Sequence, residues 1–491
     1  MQVVDRDMPS FSLAVFAAAA VLGSAQPAQE PVLVVWEAQA DLSSMAGLAG
    51  DARALSAYRH LQAVASAQRE TAERLAAAHG GHVLRHYTVL NASLIRLPAA
   101  ARAAVRSEAG VAFLVPERSF KMRLPEPTDI GDNSATQRAV EASLSLIRVP
   151  EVWALGHEGQ GITVAGADTG VRWNHEALID QYRGNSGGSV SHAYHWHDAV
   201  HVAGSSCGAN SPVPCDDHSH GSHTVGTMVG AGGVNQIGIA PQAKWIACRN
   251  MNAGDGSPAT YLECMDWFLA PTDAAGQNPQ PLLAPHVINN SWGCPPSEGC
   301  TTQQSALLEA AVNNLRAAGI LFVAAAGNSG SSCGSITDPP AYFAGSLTVG
   351  NSRLDGTINN SSSRGPITID GSGRMKPDLS APGTTIRSAL NSGGYGNMTG
   401  TSMAAPHVAG VAALVMSAFP QYRRNPEALE VLLTRAVVPM SLTQTCGGVA
   451  PTTYPNPVAG HGRIDALLAI QLAAESAGPM FANGFELQAV R

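Results

Sequence analysis

The sequence is poor in charged and in aromatic side chains. Charged residues make up 13% and aromatic residues 5% of the 491 positions, and 37 acidic residues against 29 basic ones give a formal net charge of −8. A chain without a basic excess lacks the positive surface that neutralises phosphates, which argues against a nucleic-acid partner. Its 45% hydrophobic content nevertheless allows a sizeable core, and its length predicts at least two folding units.

Long apolar runs are also scarce. The clearest run, residues 11–22, is followed by Gly-Ser-Ala at 23–25, which fits the small-residue rule of a signal-peptidase site. We interpret residues 1–25 as a secretory signal, although Asp5 and Asp7 stand where lysines are expected; the alternative is a short buried helix. No later run has the roughly 20 apolar residues of a membrane span. We therefore expect a secreted, extracellular mature chain without membrane contact.

The eight cysteines include no CxxC pair, so an oxidising compartment explains them better than a metal site does. Two pairs are separated by short loops and can close locally. The pairing that this suggests is Cys207–Cys215 and Cys294–Cys300, with Cys248–Cys264 and Cys333–Cys446 remaining. Sequence alone does not fix the connectivity, so other pairings stay open.

The N-terminal third predicts a small α+β domain. Its pattern is strand, helix, strand, strand, helix, strand, at residues 31–36, 52–78, 82–87, 92–97, 99–109 and 111–116. This order is typical of a ferredoxin-like unit. Proline, glycine and charged residues in the stretch 121–134 then predict an exposed linker, and we place a linker and processing region at 124–137. Such a segment can add a strand to a binding cleft, or it can be a passive tether.

Residues 138–475 predict a larger α/β domain. Buried-strand patterns at 162–167, 287–290 and 321–325 alternate with helical patterns at 259–269, 305–318, 402–418 and 427–436. This alternation is typical of a parallel sheet with helices on both faces, where functional residues gather at the carboxyl ends of the strands. The tail, residues 476–491, has no assignable role.

Three polar residues stand in patterns that suit nucleophilic catalysis. Ser402 begins an apolar helix in GTSMAAPHVAG (400–410), Asp168 ends a strand in ADTG, and His220 opens a small-residue helix in HSHGSHTVG. A serine hydroxyl needs a general base and a group that orients that base. Taken singly, Ser402, Asp168 and His220 are better explained as a helix cap, an Asx-turn and a supporting histidine. Together they predict an Asp, His, Ser triad.

These motifs, in this order, resemble the subtilisin-like serine peptidases, or subtilases. The resemblance covers residues 147–466 and is nearest to the bacillopeptidase F-like group, on CRNM (248–251), VINNSWGC (287–294) and DPPA (338–341). It implies a subtilisin-like mostly parallel sheet with helices on both faces. It also implies that residues 26–123 are an inhibitory propeptide, and that the chain is a bacterial peptidase made as a zymogen, with protein or peptide substrates.

The resemblance further implies roles for individual residues. His220 takes the proton of Ser402 and returns it to the leaving amine, while Asp168 orients the imidazole. The side-chain amide of Asn328 and the backbone N–H of Ser402 form the oxyanion hole. The residues implied as substrate-binding are Ser291, Trp292, Gly293, Ala325, Ala326, Gly327 and Asp338. Asp338 would favour Arg or Lys in the specificity pocket, although an aspartate before Pro-Pro also caps turns.

No catalytic metal or other cofactor is expected. The histidine-rich segment 192–201 has spacings that fit no single helix face, which weakens a metal interpretation. Bound calcium is common in the family, but its ligands are not evident from this sequence. One alternative remains, a catalytically silent, subtilase-like binding or scaffold module. An acid-acting serine-carboxyl peptidase of similar fold is not supported, because it needs Glu in place of His220.

Overall fold

The structure is a computed structural model that describes residues 29–128, 139–294 and 300–477. The predicted signal segment, the end of the tail from residue 478 and most of the predicted linker lie outside the described residues.

The N-terminal domain is a four-stranded antiparallel sheet with a long helix on one face. Its elements are β1 (Gln29–Trp36), α1 (Gly50–Ala78), β2 (His82–Tyr87), β3 (Ala92–Pro98), α2 (Arg102–Arg106) and β4 (Val111–Pro116). The strand order β2-β3-β1-β4 is the ferredoxin-like order that the sequence predicted. The second helix is shorter than the predicted 99–109, because a 3₁₀ turn precedes it and a turn ending at Gly110, with φ +87°, follows it.

The two faces of this sheet have different partners, as the alternation of β1 requires. Val32, Val34 and Trp36 pack with Ala72 and Ala76 of α1. Leu33 and Val35 point to the opposite face and join a cluster that is shared with the larger domain. The small domain is therefore docked, with its second face buried.

The larger domain follows a short strand, β5 (Phe120–Lys121), that leads out of the small domain. Its helices are α3 (Ala142–Leu146), α4 (Val149–Ala154), α5 (His220–Val229), α6 (Pro258–Leu269), α7 (Thr302–Ala317), α8 (Thr401–Ala418), α9 (Pro426–Arg435) and α10 (Ala466–Ser476). The strands of the larger domain that come before α6 in the chain are β6 (Ala139–Val140), β7 (Thr163–Asp168), β8 (Asn185–Ser186), β9 (Ser189–Val190), β10 (Trp196–Asp198), β11 (Ala231–Gly232), β12 (Asn235–Gln236), β13 (Lys244–Arg249), β14 (Met251–Asn252) and β15 (Asp255–Gly256). The later strands are β16 (Val287–Asn290), β17 (Leu321–Ala325), β18 (Leu347–Ser352), β19 (Leu379–Pro382), β20 (Ile386–Ala389), β21 (Tyr395–Met398), β22 (Val437–Val438) and β23 (Arg463–Ile464).

The central sheet has the order β10-β13-β7-β16-β17-β18-β19-β23-β22. Neighbouring strands are parallel except for β22, which runs antiparallel to β23 at the edge. Helices α5 and α8 pack in one core and α6 and α7 in another, so both faces of the sheet are covered. This confirms the predicted fold class, a mostly parallel sheet with helices on both faces.

Helix α8 is buried along almost its whole length. By length and composition it is apolar enough to cross a membrane, but 89% of that window is buried inside the domain. It packs against α5 and α10 and against strands β16, β17, β18 and β19. The helix is thus part of the core, and its first turn, with Thr401 and Ser402, is fixed at the edge of the sheet.

Four disulfides join the eight cysteines in the pairs that the sequence favoured. They are Cys207–Cys215, Cys248–Cys264, Cys294–Cys300 and Cys333–Cys446. The first three are local, while the fourth ties the loop after β17 to a segment 113 residues further on.

The small domain is held on α6, α7 and α9 by polar contacts at the rim of the shared cluster. Asp266 of α6 accepts the backbone N–H groups of Thr88 and Val89, both at 2.6 Å. Glu117 accepts the N–H of Ala259 in the first turn of α6 at 3.1 Å. Arg53 forms an ion pair with Glu427 of α9 at 2.8 Å. The interface is therefore both apolar and charged.

Candidate active site

The end of one strand and the starts of two helices meet at the carboxyl edge of the central sheet. Asp168 is the last residue of β7, His220 is the first residue of α5, and Ser402 lies in the first turn of α8. Helix α5 packs on both α8 and β7, which brings the three ends together. Each position matches the sequence prediction, in which a strand end and two helix starts carry the polar groups.

Asp168 and His220 form a buried pair. The Nδ1 atom of His220 lies 2.8 Å from Oδ1 and 2.9 Å from Oδ2 of Asp168. The backbone N–H of Thr169 also donates to Oδ1 at 2.7 Å, which fixes the carboxylate. Both side chains are almost fully buried, and the Nε2 atom of His220 has no hydrogen-bond partner among the described residues. A carboxylate on Nδ1 leaves Nε2 available as a proton acceptor.

Ser402 does not complete the series in this structure. Its hydroxyl donates to the backbone carbonyl of Ser291 at 3.0 Å, and the Ser291 hydroxyl donates to the carbonyl of Ser402 at 2.9 Å. The hydroxyl is thus occupied by the neighbouring segment, while the Nε2 atom of His220 is unpaired. Here the structure differs from the expected hydrogen-bonded chain of three groups, because the Ser402 hydroxyl donates to the backbone carbonyl of Ser291 instead of to His220.

Asn328 lies beside the first turn of α8, three residues after β17. Its Oδ1 atom accepts the backbone N–H of Thr401 at 2.9 Å and the Thr401 hydroxyl at 3.1 Å. With the carbonyl end so occupied, the NH₂ end of the amide is left for the cleft that Asn328 lines. The backbone N–H of Ser402 belongs to a first helical turn, which has no intrahelical acceptor. Two donors are therefore present at one place.

The cleft runs between two backbone segments and has a volume of about 1020 Å³. Ser291, Trp292 and Gly293 follow β16 on one side, and Ala325, Ala326 and Gly327 span the end of β17 on the other. All of these predicted wall residues except Ala326 line the cleft directly; Ala326 is buried behind it. Gly327 has φ +96°, a conformation that favours glycine.

Asp338 lies between the two walls. A Cβ atom at Gly327 would be 3.4 Å from the Asp338 Oδ2 atom, and one at Gly293 would be 2.9 Å from the Asp338 Cβ atom. Thr337 donates its hydroxyl to Oδ1 at 2.9 Å. Burial raises the pKa of Asp338, and the bond from Thr337 opposes that shift. The Asp338 carboxylate therefore borders the cleft, and its role in specificity stays a prediction.

The chain's own linker occupies the cleft. Strand β5 pairs with β15, Phe120 opposite Gly256, and Met122 donates its N–H to the carbonyl of Gly254 at 2.9 Å. Residues 121–126 line the same cleft as Ser402 and Asn328. The start of the predicted linker is thus bound rather than exposed, because free backbone groups beside the cleft pair with an extended segment.

Sequence reasoning missed the acceptor that organises the start of α5. Asp216 is buried and accepts five hydrogen bonds, from the N–H groups of His218, Ser219 and Ser222 and from two hydroxyls. These bonds satisfy donors of the first helical turn and fix the residues on both sides of His220. The signal was present as an aspartate four positions before the helix, just outside the motif.

Two further histidines, His223 on α5 and His407 on α8, are fully buried. Burial lowers the pKa of His223 to about 3 and that of His407 to about 4, so both are neutral imidazoles near pH 7. His223 contacts the backbone carbonyl of Ile386 at 2.9 Å, and His407 contacts that of Met403. Neither takes the place of His220, which alone contacts Asp168 among the three histidines of its motif.

The histidine-rich segment 192–201 is divided among separate partners. His197 and His201 bond the two carboxylate oxygens of Glu263 at 2.7 and 2.8 Å, and Arg85 of the small domain joins the same carboxylate at 2.8 Å. His192 contacts the hydroxyl of Tyr182 instead. These contacts explain the segment through ion pairs and packing at the domain interface.

Subtilisin-type serine peptidases carry an aspartate, a histidine and a serine in that chain order, and this chain places the same three residues in the same order at the carboxyl edge of a parallel sheet. The sequence profile of the subtilase family matches residues 159–461, which is more than half of the chain. The chain therefore belongs to the subtilase family.

Similar proteins support the same assignment. Bacillopeptidase F of Bacillus subtilis (strain 168) is 38% identical over 349 residues, which are 69% of this chain but 22% of that protein. M-protease of Shouchella clausii (strain KSM-K16) is 32% identical over 287 residues, or 58% of this chain and 62% of that protein. Subtilisin Savinase of Lederbergia lenta is 31% identical over 287 residues and is covered to 87%. The chain thus spans only about a fifth of the first of these relatives and less than two thirds of the second.

Proposed function

We propose that this chain is a secreted serine endopeptidase that is made as a zymogen. The observation that carries the proposal is the buried Asp168–His220 pair, whose free Nε2 atom lies at the same sheet edge as Ser402. Membership of the subtilase family and the names of the similar proteins support a peptide-bond hydrolase. The four disulfides support export to an oxidising compartment.

In the reaction, Ser402 leaves the carbonyl of Ser291, and its hydroxyl turns to the Nε2 atom of His220. His220 takes the proton as the oxygen attacks the peptide carbonyl, and the imidazolium is stabilised by the carboxylate of Asp168. The side-chain amide of Asn328 and the N–H of Ser402 receive the developing negative charge. His220 then protonates the leaving amine, and water hydrolyses the acyl-enzyme.

The N-terminal domain acts as an inhibitor until it is removed. Its sheet is packed on α6 and α7, and its C-terminal extension adds β5 beside β15 in the substrate cleft. An extended segment that pairs with a cleft edge excludes other peptides from the same edge. Residues 26–123 accordingly serve as the propeptide, and residues 1–25 as the signal that exports the precursor.

Expression of the full chain beside its Ser402→Ala variant tests this proposal. Wild-type protein is expected to release its N-terminal domain and to hydrolyse casein, whereas the variant is expected to remain full-length and inactive. Correct trimming of purified Ser402→Ala protein, in the absence of other proteases, would contradict self-processing.

The second candidate is a silent, subtilase-like scaffold. The bond between the Ser402 hydroxyl and the Ser291 carbonyl favours it, because that bond keeps the nucleophile away from its base. A processed, folded wild-type protein without hydrolytic activity on any unfolded protein substrate would support the scaffold over the peptidase.

A further inference from the structure

The linker is anchored on both sides of Ser402, which limits the bonds that can reach the nucleophile. On the amino side, Phe120 is buried in the cluster that contains Trp292, and Met122 is bonded to Gly254. On the carboxyl side, the ring of Pro125 lies 3.1 Å from the position of a Cβ atom at Gly400, which immediately precedes α8. The bonds between Met122 and Pro125 therefore pass the start of the helix.

Contacts beyond Pro125 continue the segment away from the site. Glu126 forms an ion pair with His218 at 3.1 Å, and the N–H of Thr128 donates to the carbonyl of Asn397 at 3.0 Å. The linker thus crosses the cleft from one end to the other. Three peptide bonds remain between the anchors: Met122–Arg123, Arg123–Leu124 and Leu124–Pro125.

The three peptide bonds differ in how readily they can be cut and in how well the residue before the cut fits the charge of the cleft. The Leu124–Pro125 bond is a tertiary amide whose ring crowds the preceding residue, which hinders attack and departure. On the enzyme side, Asp338 borders the cleft between the two walls, with Thr337 on Oδ1 only. Among the described residues no cation forms an ion pair with this carboxylate, and a carboxylate that is largely buried is stabilised by a positive partner.

Arg123 supplies the matching charge. It lines the same cleft as Asp338, and an arginine side chain can bond a carboxylate through two N–H groups. In this structure the Arg123 side chain is exposed, so binding requires it to turn into the space between Gly293 and Gly327. A Cβ atom at Gly293 would lie 2.9 Å from the Asp338 Cβ atom and one at Gly327 would lie 3.0 Å from the Ser363 Oγ atom, so a side chain at either position would crowd the approach to Asp338.

We propose that Arg123–Leu124 is the bond that the active site cuts during maturation, and that Asp338 makes the enzyme selective for substrates with arginine or lysine before the cut. The proposal rests on the peptidase function proposed above. The Ser402 oxygen bonds to the carbonyl carbon of Arg123, the C–N bond to Leu124 breaks, and the proton from Ser402 passes through His220 to the Leu124 nitrogen. Water then cleaves the ester and leaves a carboxylate on Arg123.

Two measurements on the wild-type protein test the inference without any variant. N-terminal sequencing of the processed enzyme is expected to begin at Leu124. Fluorogenic peptides with the sequence Phe-Lys-Met-X are expected to give a kcat/KM for X = Arg at least about 30-fold above that for X = Phe, as loss of a buried charge pair predicts. A different first residue, or a preference for Phe, would overturn the inference.

Variants then assign the selectivity to Asp338. Asp338→Asn is expected to reduce kcat/KM for the Arg peptide by roughly 30-fold or more while that for the Phe peptide changes little. Arg123→Lys is expected to process at the same bond, and Arg123→Gln to process slowly. Arg118→Gln is the matched control, because it makes the same change at an exposed arginine that does not line the cleft. Equal loss on both peptides in Asp338→Asn would count against a role in selectivity.

Labelling with a fluorophosphonate distinguishes failure of this inference from failure of the proposed peptidase function. If the processed enzyme is labelled at Ser402 but starts elsewhere or prefers Phe, the peptidase function stands and this inference fails. If a folded, processed enzyme is not labelled at all, both fail.

Discussion

At the scale of single residues, the site depends on a few side chains whose partners are far away in the chain. Asn328 is held by Thr401, 73 positions later, and His220 by Asp168, 52 positions earlier. Each partner holds one polar atom of the side chain, Oδ1 of Asn328 or Nδ1 of His220, and leaves the other polar atom available to a substrate. Substitutions at these residues should therefore change rate more than binding.

Asn328→Ala removes one of the two proposed oxyanion donors. We expect kcat to fall by about 10²–10³, the range known for loss of one such donor from a subtilisin, while KM changes little because the ground-state carbonyl depends less on that donor. Steady-state kinetics with the Phe-Lys-Met-Arg peptide measure both constants. A KM increase with unchanged kcat would assign Asn328 to substrate binding instead.

Asp216→Asn tests whether the acceptor before α5 positions His220. An amide places an NH₂ group against donors that now face a carboxylate, so we expect a loss of about 2–3 kcal/mol in the free energy of unfolding and a lower kcat. Denaturant unfolding and kinetics report the two effects. Asp273→Asn is the control, since Asp273 accepts backbone bonds in an exposed loop outside the cleft. A kcat equal to wild type would leave Asp216 with a purely structural role.

Much of this site was predictable from sequence, because Asp168, His220, Ser402 and Asn328 each sit in a local motif. The hydrogen bond of the Ser402 hydroxyl was not, since the choice between Ser291 and His220 depends on packing across more than 100 residues. Asp216 was not predicted for the opposite reason. Its partners are local, but a single aspartate before a helix has many ordinary explanations.

At the scale of elements, the contact between the N-terminal domain and α6 concentrates titratable groups. Burial raises the pKa of Glu117 to about 7 and that of Asp266 to about 6. The bond to Glu263 raises the pKa of His201, while the histidine bonds of Glu263 outweigh its burial and lower its pKa to about 2. Helix α6 therefore carries the pH response of the interface.

The sign of that response follows from these shifts. Burial against α6 raises the pKa of Glu117, a residue of the N-terminal domain, so its contribution to docking is full below about pH 4 and is lost as pH rises through about 7. His201 and Glu263 both belong to the larger domain, so their bond does not depend on docking; the docked domain adds only Arg85 to this group. Because the pKa of Glu263 is lowered to about 2, its ion pair with Arg85 is present throughout the range from pH 5 to pH 8 and adds no pH dependence there.

We therefore expect the cleaved N-terminal domain to be retained at pH 5 and released increasingly between pH 5 and pH 8. Gel filtration of the processed complex at a series of pH values measures the retained fraction. Glu117→Gln should flatten the curve, because the amide oxygen still accepts the N–H of Ala259 but does not titrate. Stronger retention at pH 8 than at pH 5 would contradict the assignment.

Periodicity predicted the elements themselves well. The bounds of β2, β4, β16 and β17 match the sequence expectation, and the main helices differ at their ends by at most three residues. Strand addition by the linker was one of two options that the sequence left open, but the particular pairing of β5 with β15 was not predicted, because two strands of two residues each have no periodicity. Their pairing depends on the docking of two domains, which a local pattern does not contain.

At the scale of the whole molecule, disulfides of very different span hold the larger domain. Cys333–Cys446 closes 113 residues, whereas Cys207–Cys215 closes 8. In the chain-entropy account, the long loop stabilises by about 5 kcal/mol and the short one by about 2.5 kcal/mol. The pairing was a correct guess from loop length, but the long pair followed only by elimination.

Replacement of both cysteines of one pair by serine compares the two spans. We expect the Cys333→Ser/Cys446→Ser protein to lose more thermal stability than the Cys207→Ser/Cys215→Ser protein, because its unfolded state gains more freedom. Inactivation half-lives at a fixed temperature measure the difference even if unfolding is irreversible. The reverse order would show that the short loop beside Asp216 matters more through native contacts than through chain entropy.

The central claim is that Asp168, His220 and Ser402 act as one unit, and fluorophosphonate labelling with mass mapping tests it most directly. The account predicts one modified residue, Ser402, in processed wild-type protein, with labelling lost in His220→Ala and strongly slowed in Asp168→Asn. Modification of another residue, or undiminished labelling of Ser402 in folded His220→Ala protein, would contradict it.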